Sequence, residues 1–252
     1  MDDFIKIDKV EKIFNTENGN MFKALDKIDL TIKENEFICI LGPSGCGKST
    51  LLRIISGLDN SSSGEILFKG NTHTKACKDI GMVFQNYSLM PWLNVLDNIS
   101  LGPSFSKMSK KECQKIALEY LNMIGMIDFA KSMPHELSGG MQQRVAIARS
   151  LANNPDVLLM DEPFGALDAY TRIILQKELL RIWEQHKKTI IFVTHSVDEA
   201  IFLADRIILM DTKPGRIKKE INVGIDRTRD RSNPKYAKLM AELLNELEET
   251  NV

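Results

Sequence analysis

One nine-residue segment constrains the possible fold of this 252-residue chain more than any other: Gly-Pro-Ser-Gly-Cys-Gly-Lys-Ser-Thr at positions 42–50. It fits the pattern G-x-x-x-x-G-K-S/T, follows the continuous apolar run of residues 37–41, and precedes apolar residues at helical spacing. Glycines allow consecutive backbone N–H groups to turn toward a phosphate, and the start of a helix adds partial positive charge. The segment therefore predicts a buried strand, a phosphate-binding loop and a helix.

The residues of this loop are the predicted contacts to a nucleotide. They are Gly42, Pro43, Ser44, Gly45, Cys46, Gly47, Lys48, Ser49 and Thr50. In such a loop Lys48 reaches the β- and γ-phosphates, and the Ser49 hydroxyl ligates Mg²⁺. Cys46 lies inside the loop and near a helix N-terminus, a position that favours the thiolate. We therefore expect maleimide to modify Cys46 and bound nucleotide to protect it.

Hydrophobic periodicity predicts how the rest of the chain is organised. The predicted strands are residues 28–32, 37–41, 64–69, 80–84, 157–161, 189–194 and 206–211. One predicted helix begins after residue 50 and another after residue 140. Further predicted helices cover residues 109–125, 171–186 and 197–204, and a last one in the tail is capped by Asn233. Alternation of strands and helices in the second half predicts parallel strands in an α/β sheet. Residues of about 88–156 are then a helical insert, and those of about 225–252 a tail.

Composition excludes several classes of protein. The 33 basic and 34 acidic residues give a net charge of −1, so no long-range field attracts nucleic acid. Apolar runs have the length of a strand, whereas a membrane span needs about 20 apolar residues. The first residues lack the basic and apolar parts of a signal peptide, and none of the four cysteines forms a C-x-x-C pair. We expect a cytoplasmic protein with reduced thiols, unless a partner ties it to a membrane.

Two carboxylates lie at the end of the predicted strand of residues 157–161. Four apolar residues, Val-Leu-Leu-Met, precede Asp161 and Glu162. The end of this strand delivers Asp161 near the Mg²⁺ of a phosphate-binding loop. Glu162 is then placed to orient or polarise a water molecule in line with the γ-phosphate. Together with the loop, the pair predicts a nucleotide hydrolase.

A third motif narrows the class of hydrolase. The segment Leu-Ser-Gly-Gly-Met-Gln-Gln-Arg at residues 137–144 opens a predicted helix, so its small residues and serine hydroxyl form a second anion site. One chain binds one triphosphate, so two anion sites indicate shared use across a dimer. The segment resembles the signature motif of the ATP-binding cassette (ABC) family. A metabolic kinase would lack it, and the Asn-Lys-x-Asp of small GTPases is absent from the chain.

The resemblance extends over nearly all of residues 1–252 and implies a single ATPase domain. The implied fold is the α/β P-loop NTPase fold of ABC ATPases, with a mixed sheet core, an inserted helical subdomain and an antiparallel β-subdomain. By position, Gln85 resembles the Q-loop glutamine that contacts Mg²⁺ and the attacking water, and Asp168 lies in the D-loop. His195 resembles the switch histidine at the γ-phosphate. Phe14 aligns with the aromatic residue that stacks on adenine, although a buried strand residue is the alternative.

The family also implies two chains that meet head to tail and sandwich ATP and Mg²⁺ between them. The metal ligands would be Ser49, Gln85 and Asp161. The signature residues of one chain would contact the ATP held by the loop of the other, and these are Ser138, Gly139, Gly140 and Gln142. Hydrolysis would open this homodimer, and the motion would do work on a partner.

Residues 90–99, 161–172 and 213–217 resemble a subfamily of importers for nitrate, sulfonate, taurine and bicarbonate. They imply an ATP hydrolase at the cytoplasmic face of the membrane, bound to permease subunits and served by an extracytoplasmic solute-binding protein. Another class of ABC importer remains open. So does a soluble ABC ATPase of DNA repair or ribosomes, although the chain has neither a heptad run nor a second set of motifs. The solute is chosen by the partner proteins and cannot be read from this chain.

The apolar segment after Gln85 raises a question that sequence leaves open. Tyr87, Leu89, Met90 and Trp92 lie close together around a proline. The resemblance places this loop against a cytoplasmic helix of the permease, where Trp92 would be an anchor. The alternative is that Trp92 packs inside the helical insert.

Overall fold

A computed structural model describes residues 3–15, 20–227 and 229–250 of the chain. Residues 1–2 of the amino terminus discussed above and residues 228, 251 and 252 of the predicted tail lie outside the described residues. Contact density divides the chain into two compact units. The first contains the described parts of residues 1–77 and 189–252, and the second contains residues 78–188. The predicted helical insert of about 88–156 lies within the range of the second unit.

Most of the predicted elements are present. The strands are β1 (Ile5–Asn15), β2 (Met21–Ile32), β3 (Phe37–Leu41), β4 (Ser63–Phe68), β5 (Asn71–Thr72), β6 (Ile80–Val83), β7 (Val157–Asp161), β8 (Thr189–Thr194), β9 (Arg206–Asp211) and β10 (Arg216–Asn222). The helices are α1 (Lys48–Ile55), α2 (Val95–Ser104), α3 (Lys110–Met123), α4 (Gly139–Leu151), α5 (Ala169–His186), α6 (Val197–Leu203) and α7 (Pro234–Thr250). Strands β1, β5 and β10 and helix α2 were not predicted individually.

The first unit contains two groups of strands. β1, β2, β4 and β5 form an antiparallel sheet in the order β2-β1-β4-β5. In the other group, β3 pairs in parallel with β8 and β9, and β10 runs antiparallel to β9. All five residues of β3 are fully buried, as the continuous apolar run predicted. The predicted parallel strands are confirmed for β3, β8 and β9, and the addition of β10 makes the arrangement mixed.

The second unit contains the parallel pair β6 and β7 and the helices α2, α3, α4 and α5. Its helical part has a core of its own, which includes Val95, Ile99, Leu121, Val145 and Ala148. The Ser109 cap predicted for α3 is confirmed: its side chain accepts from Glu112 N, and the Glu112 carboxylate accepts from Ser109 N at 2.7 Å. This reciprocal capping satisfies two backbone donors at the start of the helix.

The tail of the first unit ends in α7, whose predicted start is confirmed. Asn233 O accepts hydrogen bonds from Tyr236 N and Ala237 N, and Asn233 Oδ1 accepts from Lys235 N at 2.9 Å. Tyr236 and Leu243 of the predicted apolar stripe are buried, whereas Leu244 is largely exposed. No helix in the described part of the chain combines the length and the apolar content needed to cross a bilayer.

Candidate functional site

The phosphate-binding loop occupies the turn between β3 and α1. Gly47 precedes the helix with φ of 91°, a left-handed conformation that favours glycine. A Cβ at this position would also lie 2.6 Å from Leu25 Cδ2 of β2. Both the backbone conformation and the packing against β2 therefore require glycine at residue 47, the sixth residue of the predicted motif.

Lys48 lies at the first position of α1, and its side chain folds back over the loop. Only 4% of the residue is exposed, and Nζ donates to Gly42 O at 2.8 Å and to Pro43 O at 2.9 Å. A buried ammonium that is held by carbonyl oxygens can exchange them for the more strongly attracting oxygens of a phosphate. The positive charge of Lys48 therefore lies within the phosphate-binding loop, as predicted.

The structure contradicts the prediction of a reactive thiolate at Cys46. This residue is fully buried, and its burial raises the pKa of the thiol above the ordinary value. The nearby Lys48 ammonium lowers the same pKa but by less than the loss of solvation raises it. Cys46 therefore remains a neutral thiol that packs beneath the loop, and its Sγ would lie only 2.8 Å from a Cβ at Gly42.

A turn that sequence analysis noted only for its resemblance to importer ATPases, at residues 213–217, packs directly on the phosphate-binding loop. Gly215 lies between β9 and β10, donates from its N–H to Ala24 O at 3.1 Å, and accepts from Asp26 N at 2.8 Å. A Cβ at Gly215 would lie 2.8 Å from Ala24 O and still closer to Cys46 O. The backbone of this turn thus supports the loop from outside, and the Lys213–Gly215–Arg216 pattern was the only sequence signal for it.

His195 emerges from the same edge of the first unit as the loop. β3 and β8 are parallel neighbours whose last residues, Leu41 and Thr194, face each other. Gly42 and His195 therefore leave adjacent strands at the same level, and His195 is exposed. The Thr194 hydroxyl contacts Glu199 Oε2 at 2.5 Å and accepts from Ser196 N at 3.0 Å. These bonds fix the backbone on both sides of His195.

Phe14 lies on β1, and 39% of it is exposed. It faces Phe22 of β2 across the strand pair, and Lys12 Nζ lies 4.9 Å from the centre of its ring. The alternative interpretation of Phe14 as a buried strand residue is therefore wrong. An exposed aromatic face beside a cation can stack on a planar ligand.

In the second unit, Asp161 ends β7 and Glu162 follows with φ of 42°. A left-handed conformation is unusual for a residue with a side chain and is typical of functional sites. Glu162 O accepts a hydrogen bond from Gly165 N at 3.1 Å, which closes a tight turn. The turn holds the Glu162 carboxylate at the end of the strand.

The structure brings Gln85 to the same turn. β6 and β7 are parallel, with Val83 opposite Met160, so Gln85 and Glu162 leave the same edge of this pair. A Cβ at Gly165 would lie 3.9 Å from Gln85 Nε2. Three of the predicted residues of this unit, Gln85, Asp161 and Glu162, are therefore neighbours, as their proposed shared role requires.

The signature residues begin α4 as predicted. Ser138 is the N-cap, and its Oγ accepts from Met141 N at 3.4 Å. A Cβ at Gly140 would lie 2.7 Å from Thr171 Cγ2 of α5, so a larger residue would displace the Thr171 side chain. The Gln142 amide donates to Pro134 O and Leu137 O and braces the segment before the helix. Gly139 lies beside the Tyr87 hydroxyl: a Cβ at Gly139 would be 3.2 Å from that oxygen.

Asp168 begins α5 in the same way. Its carboxylate accepts from Thr171 N at 3.0 Å, and this backbone hydrogen bond lowers the pKa of the carboxyl group. Asp168 is therefore a negatively charged N-cap, and its side chain stays at the surface of the second unit.

Arg149 is a further residue of this region that sequence analysis missed. Tyr87 and Ser88, shortly after Gln85, both have positive φ values, 53° and 50°. Arg149 of α4 donates to the carbonyl oxygens of both residues, at 3.1 and 2.7 Å. Its burial lowers the pKa of the guanidinium, which nevertheless stays charged at neutral pH. The signature helix thus holds the strained loop that follows Gln85.

The structure excludes one of the two interpretations of Trp92. The residue is 71% exposed, so the interpretation as a core residue of the insert is wrong. Asn98 of α2 is fully buried beneath the loop and bonds to Met90 N and O and to Leu93 O, at 2.8 to 3.1 Å. This buried amide fixes the loop and leaves the indole of Trp92 outside.

Together these features are those of a nucleotide hydrolase of the P-loop class with an ABC-like signature segment at the start of α4. Comparison with known proteins gives the family. The ABC transporter family model matches residues 25–165, and the chain belongs to this family. It is an ATP hydrolase of the kind that drives transmembrane transport.

The similar proteins cover nearly the whole chain. An uncharacterised ABC transporter ATP-binding protein of Methanocaldococcus jannaschii is 50% identical over 97% of this chain and 91% of its own length. An aliphatic sulfonates import ATP-binding protein of Bacillus thuringiensis subsp. konkukian is 45% identical over 97% of this chain and 96% of its own. A solved dimeric ATP-binding cassette in a post-hydrolysis state, bound to ADP and phosphate, is 39% identical. It has a TM-score of 0.78 and covers 88% of this chain and all of its own, which confirms the predicted fold class.

Proposed function

We propose that this chain is the ATP-hydrolysing subunit of a multi-subunit importer for a small anion such as an aliphatic sulfonate, taurine or nitrate. The observation that carries this proposal is the 45% identity to an aliphatic sulfonates import protein over almost the full length of both chains. The exposed Trp92 loop adds to it, since an ATPase that drives a membrane partner needs a docking surface.

Nucleotide binding is assigned to the first unit. The backbone N–H groups of residues 42–50 surround the phosphates, and Lys48 Nζ exchanges its two carbonyl partners for β- and γ-phosphate oxygens. Phe14 stacks on adenine, and its exposed ring beside Lys12 supports this role. His195 contacts the γ-phosphate from the adjacent strand end.

Hydrolysis is assigned to the carboxyl end of β7. Glu162 orients or polarises the attacking water, and Gln85, held beside the same turn, contacts that water. Ser49, Gln85 and Asp161 would each ligate Mg²⁺ through a side-chain oxygen, the kind of ligand that this ion prefers. The ion would neutralise charge that develops on the phosphate oxygens.

Two copies of the chain are proposed to share each ATP. Ser138, Gly139 and Gly140, at the start of α4, would contact the nucleotide bound by the loop of the other copy, with Gln142 bracing this segment. Asp168 would lie at the same interface, as a charged N-cap of α5. The dimeric state of the similar solved cassette supports this arrangement.

The loop around Trp92 is proposed to dock on a permease subunit at the cytoplasmic face of the membrane. Asn98 holds the loop in one conformation before binding, so little conformational entropy is lost on docking. A solute-binding protein outside the membrane would deliver the anion to the permease. No role in nucleic-acid binding is proposed, because the net charge of −1 offers no attraction.

Uptake measurements test this function. Cells that lack the gene should lose uptake of the labelled sulfonate, taurine or nitrate that the wild-type strain imports, and the native gene should restore it. The matched control is a gene that encodes the Glu162→Gln variant. This variant should assemble with the permease but should not restore uptake, because it lacks the carboxylate proposed for ATP hydrolysis. Undiminished uptake of all three anions in the deletion strain would refute the assignment to import of these anions and favour another class of ABC importer.

A further inference from the structure

The segment between β10 and α7 binds helix α6 through three arginines at alternate positions. Arg227 Nη1 donates to Leu203 O at 2.7 Å. Arg229 Nη1 donates to Ile201 O at 2.6 Å and to Phe202 O at 3.1 Å. The last carbonyl groups of a helix have no partner within it, so these guanidinium groups complete the C-terminal end of α6.

The third arginine reaches the other end of the same helix. Arg231 binds both carboxylate oxygens of Asp198 at 2.7 Å, through Nε and Nη2. The Tyr236 hydroxyl of α7 lies 2.6 Å from Asp198 Oδ1 and 2.9 Å from Asp198 O. Tyr236 is only 2% exposed, and burial raises the pKa of its hydroxyl, so it remains a donor at neutral pH. Bidentate pairing and a buried donor fix the Asp198 side chain in one position.

Asp198 is three residues beyond His195. Ser196, directly after the histidine, is the N-cap of α6, and its Oγ accepts from Glu199 N at 3.4 Å. The Glu199 carboxylate in turn holds the Thr194 hydroxyl before the histidine. α6 has only seven residues, so a displacement of its first turn would be transmitted to the backbone of His195.

We propose that Asp198, Arg231 and Tyr236 form a latch through which the carboxyl-terminal tail positions His195. The proposal rests on the role of His195 at the γ-phosphate given above. The three latch residues are positioning residues, since they act through α6 and need not touch the nucleotide. The latch should thus support turnover more than ATP binding, because the phosphate-binding loop is anchored separately by β2 and Gly215.

Tyr236→Phe tests the latch, because it removes the hydroxyl and keeps the buried ring. We expect kcat for ATP hydrolysis to fall about tenfold, while KM for ATP changes less than about twofold. The control is Lys219→Met, which removes the ion pairs from β10 to Glu242 and Glu246 at a part of α7 that does not contact Asp198. This control should keep the native kcat.

A double-mutant cycle separates positioning from a general loss of stability. If Tyr236 acts through His195, Tyr236→Phe should have no further effect on the residual turnover of His195→Ala. An equal loss of kcat in both backgrounds, or a native kcat in Tyr236→Phe, would overturn the latch. Native turnover in His195→Ala would instead refute the proposed role of His195 and remove the basis of the latch with it. If Tyr236→Phe does not fold, Asp198→Asn, which weakens the pairing with Arg231, replaces it in the same cycle with the same expected results.

Discussion

Replacing Gly215 with alanine should distort the phosphate-binding loop although no residue of the loop itself is replaced. The new Cβ would lie 2.8 Å from Ala24 O and closer still to Cys46 O, so at least one backbone segment must move. Relief of such contacts needs a displacement of about 0.5 to 1 Å, and overpacking of this kind typically costs about 1–3 kcal/mol. The native hydrogen bonds of Gly215 to Ala24 and Asp26 oppose movement of the turn itself.

Two measurements on Gly215→Ala follow from this geometry. In a protein of this size, the strain should lower Tm by about 2–10 °C, as measured by scanning calorimetry. Because Cys46 belongs to the loop, ATP affinity measured by calorimetric titration should fall about tenfold or more, since small displacements misalign several phosphate contacts at once.

Gly224→Ala is the matched control for the Gly215 variant. Gly224 has φ of 58°, so alanine there is also strained, yet nothing lies within 4 Å of the new Cβ. It should lower Tm and leave ATP affinity unchanged. A native Tm together with a native ATP affinity in Gly215→Ala would refute the idea that this turn supports the loop. A lower Tm with native ATP affinity would show that the turn moves and the loop does not.

Three further predictions concern other parts of the chain. Trp92→Ala should change the free energy of unfolding by less than about 0.5 kcal/mol, yet weaken co-purification with the permease by about 2 kcal/mol; an unstable variant would contradict the exposed position. Arg149→Met should lower the free energy of unfolding in urea by about 2–3 kcal/mol, whereas native stability would show that its two carbonyl contacts contribute nothing. At neutral pH, maleimide should modify the exposed Cys77 first and Cys46 slowly, with the Cys46 rate rising only at alkaline pH because its pKa is raised; rapid labelling of a Cys77→Ser variant would contradict this.

Elements with strong local signals were predictable from the sequence. The β3–loop–α1 unit was one, because a buried apolar strand, a glycine-rich turn and a helical spacing follow each other within twenty residues. β10 was not predicted, since its apolar residues Ile217 and Ile221 are four positions apart and six of its seven residues are exposed or only partly buried. α2 carries glycine and proline in its last turn, which conceal a helix from propensity alone.

The chemical role of a site residue was predictable only where the residue type and its motif determine that role. Lys48 and Glu162 occur in motifs that specify their neighbours, so their surroundings followed from the sequence. The protonation state of the Cys46 thiol depends on how deeply the loop is buried. The nearby Lys48 charge predicts a lowered pKa, but burial by residues distant in sequence raises the pKa instead. Arg149 and Gly215 act through contacts with segments about sixty or more residues away, and no local pattern predicts those contacts. The resemblance at residues 213–217 marked the turn of Gly215 but not its packing against the loop.

The mass of the Glu162→Gln protein in the presence of Mg-ATP tests the central claim most directly. The substitution keeps the size of the side chain and removes the carboxylate, so ATP should bind without being hydrolysed and hold two chains together. Light scattering should then show two chains of 28.5 kDa each with ATP and a single chain with ADP. A Glu162→Gln protein that remains at 28.5 kDa with saturating ATP would contradict a nucleotide site shared between two copies of this chain.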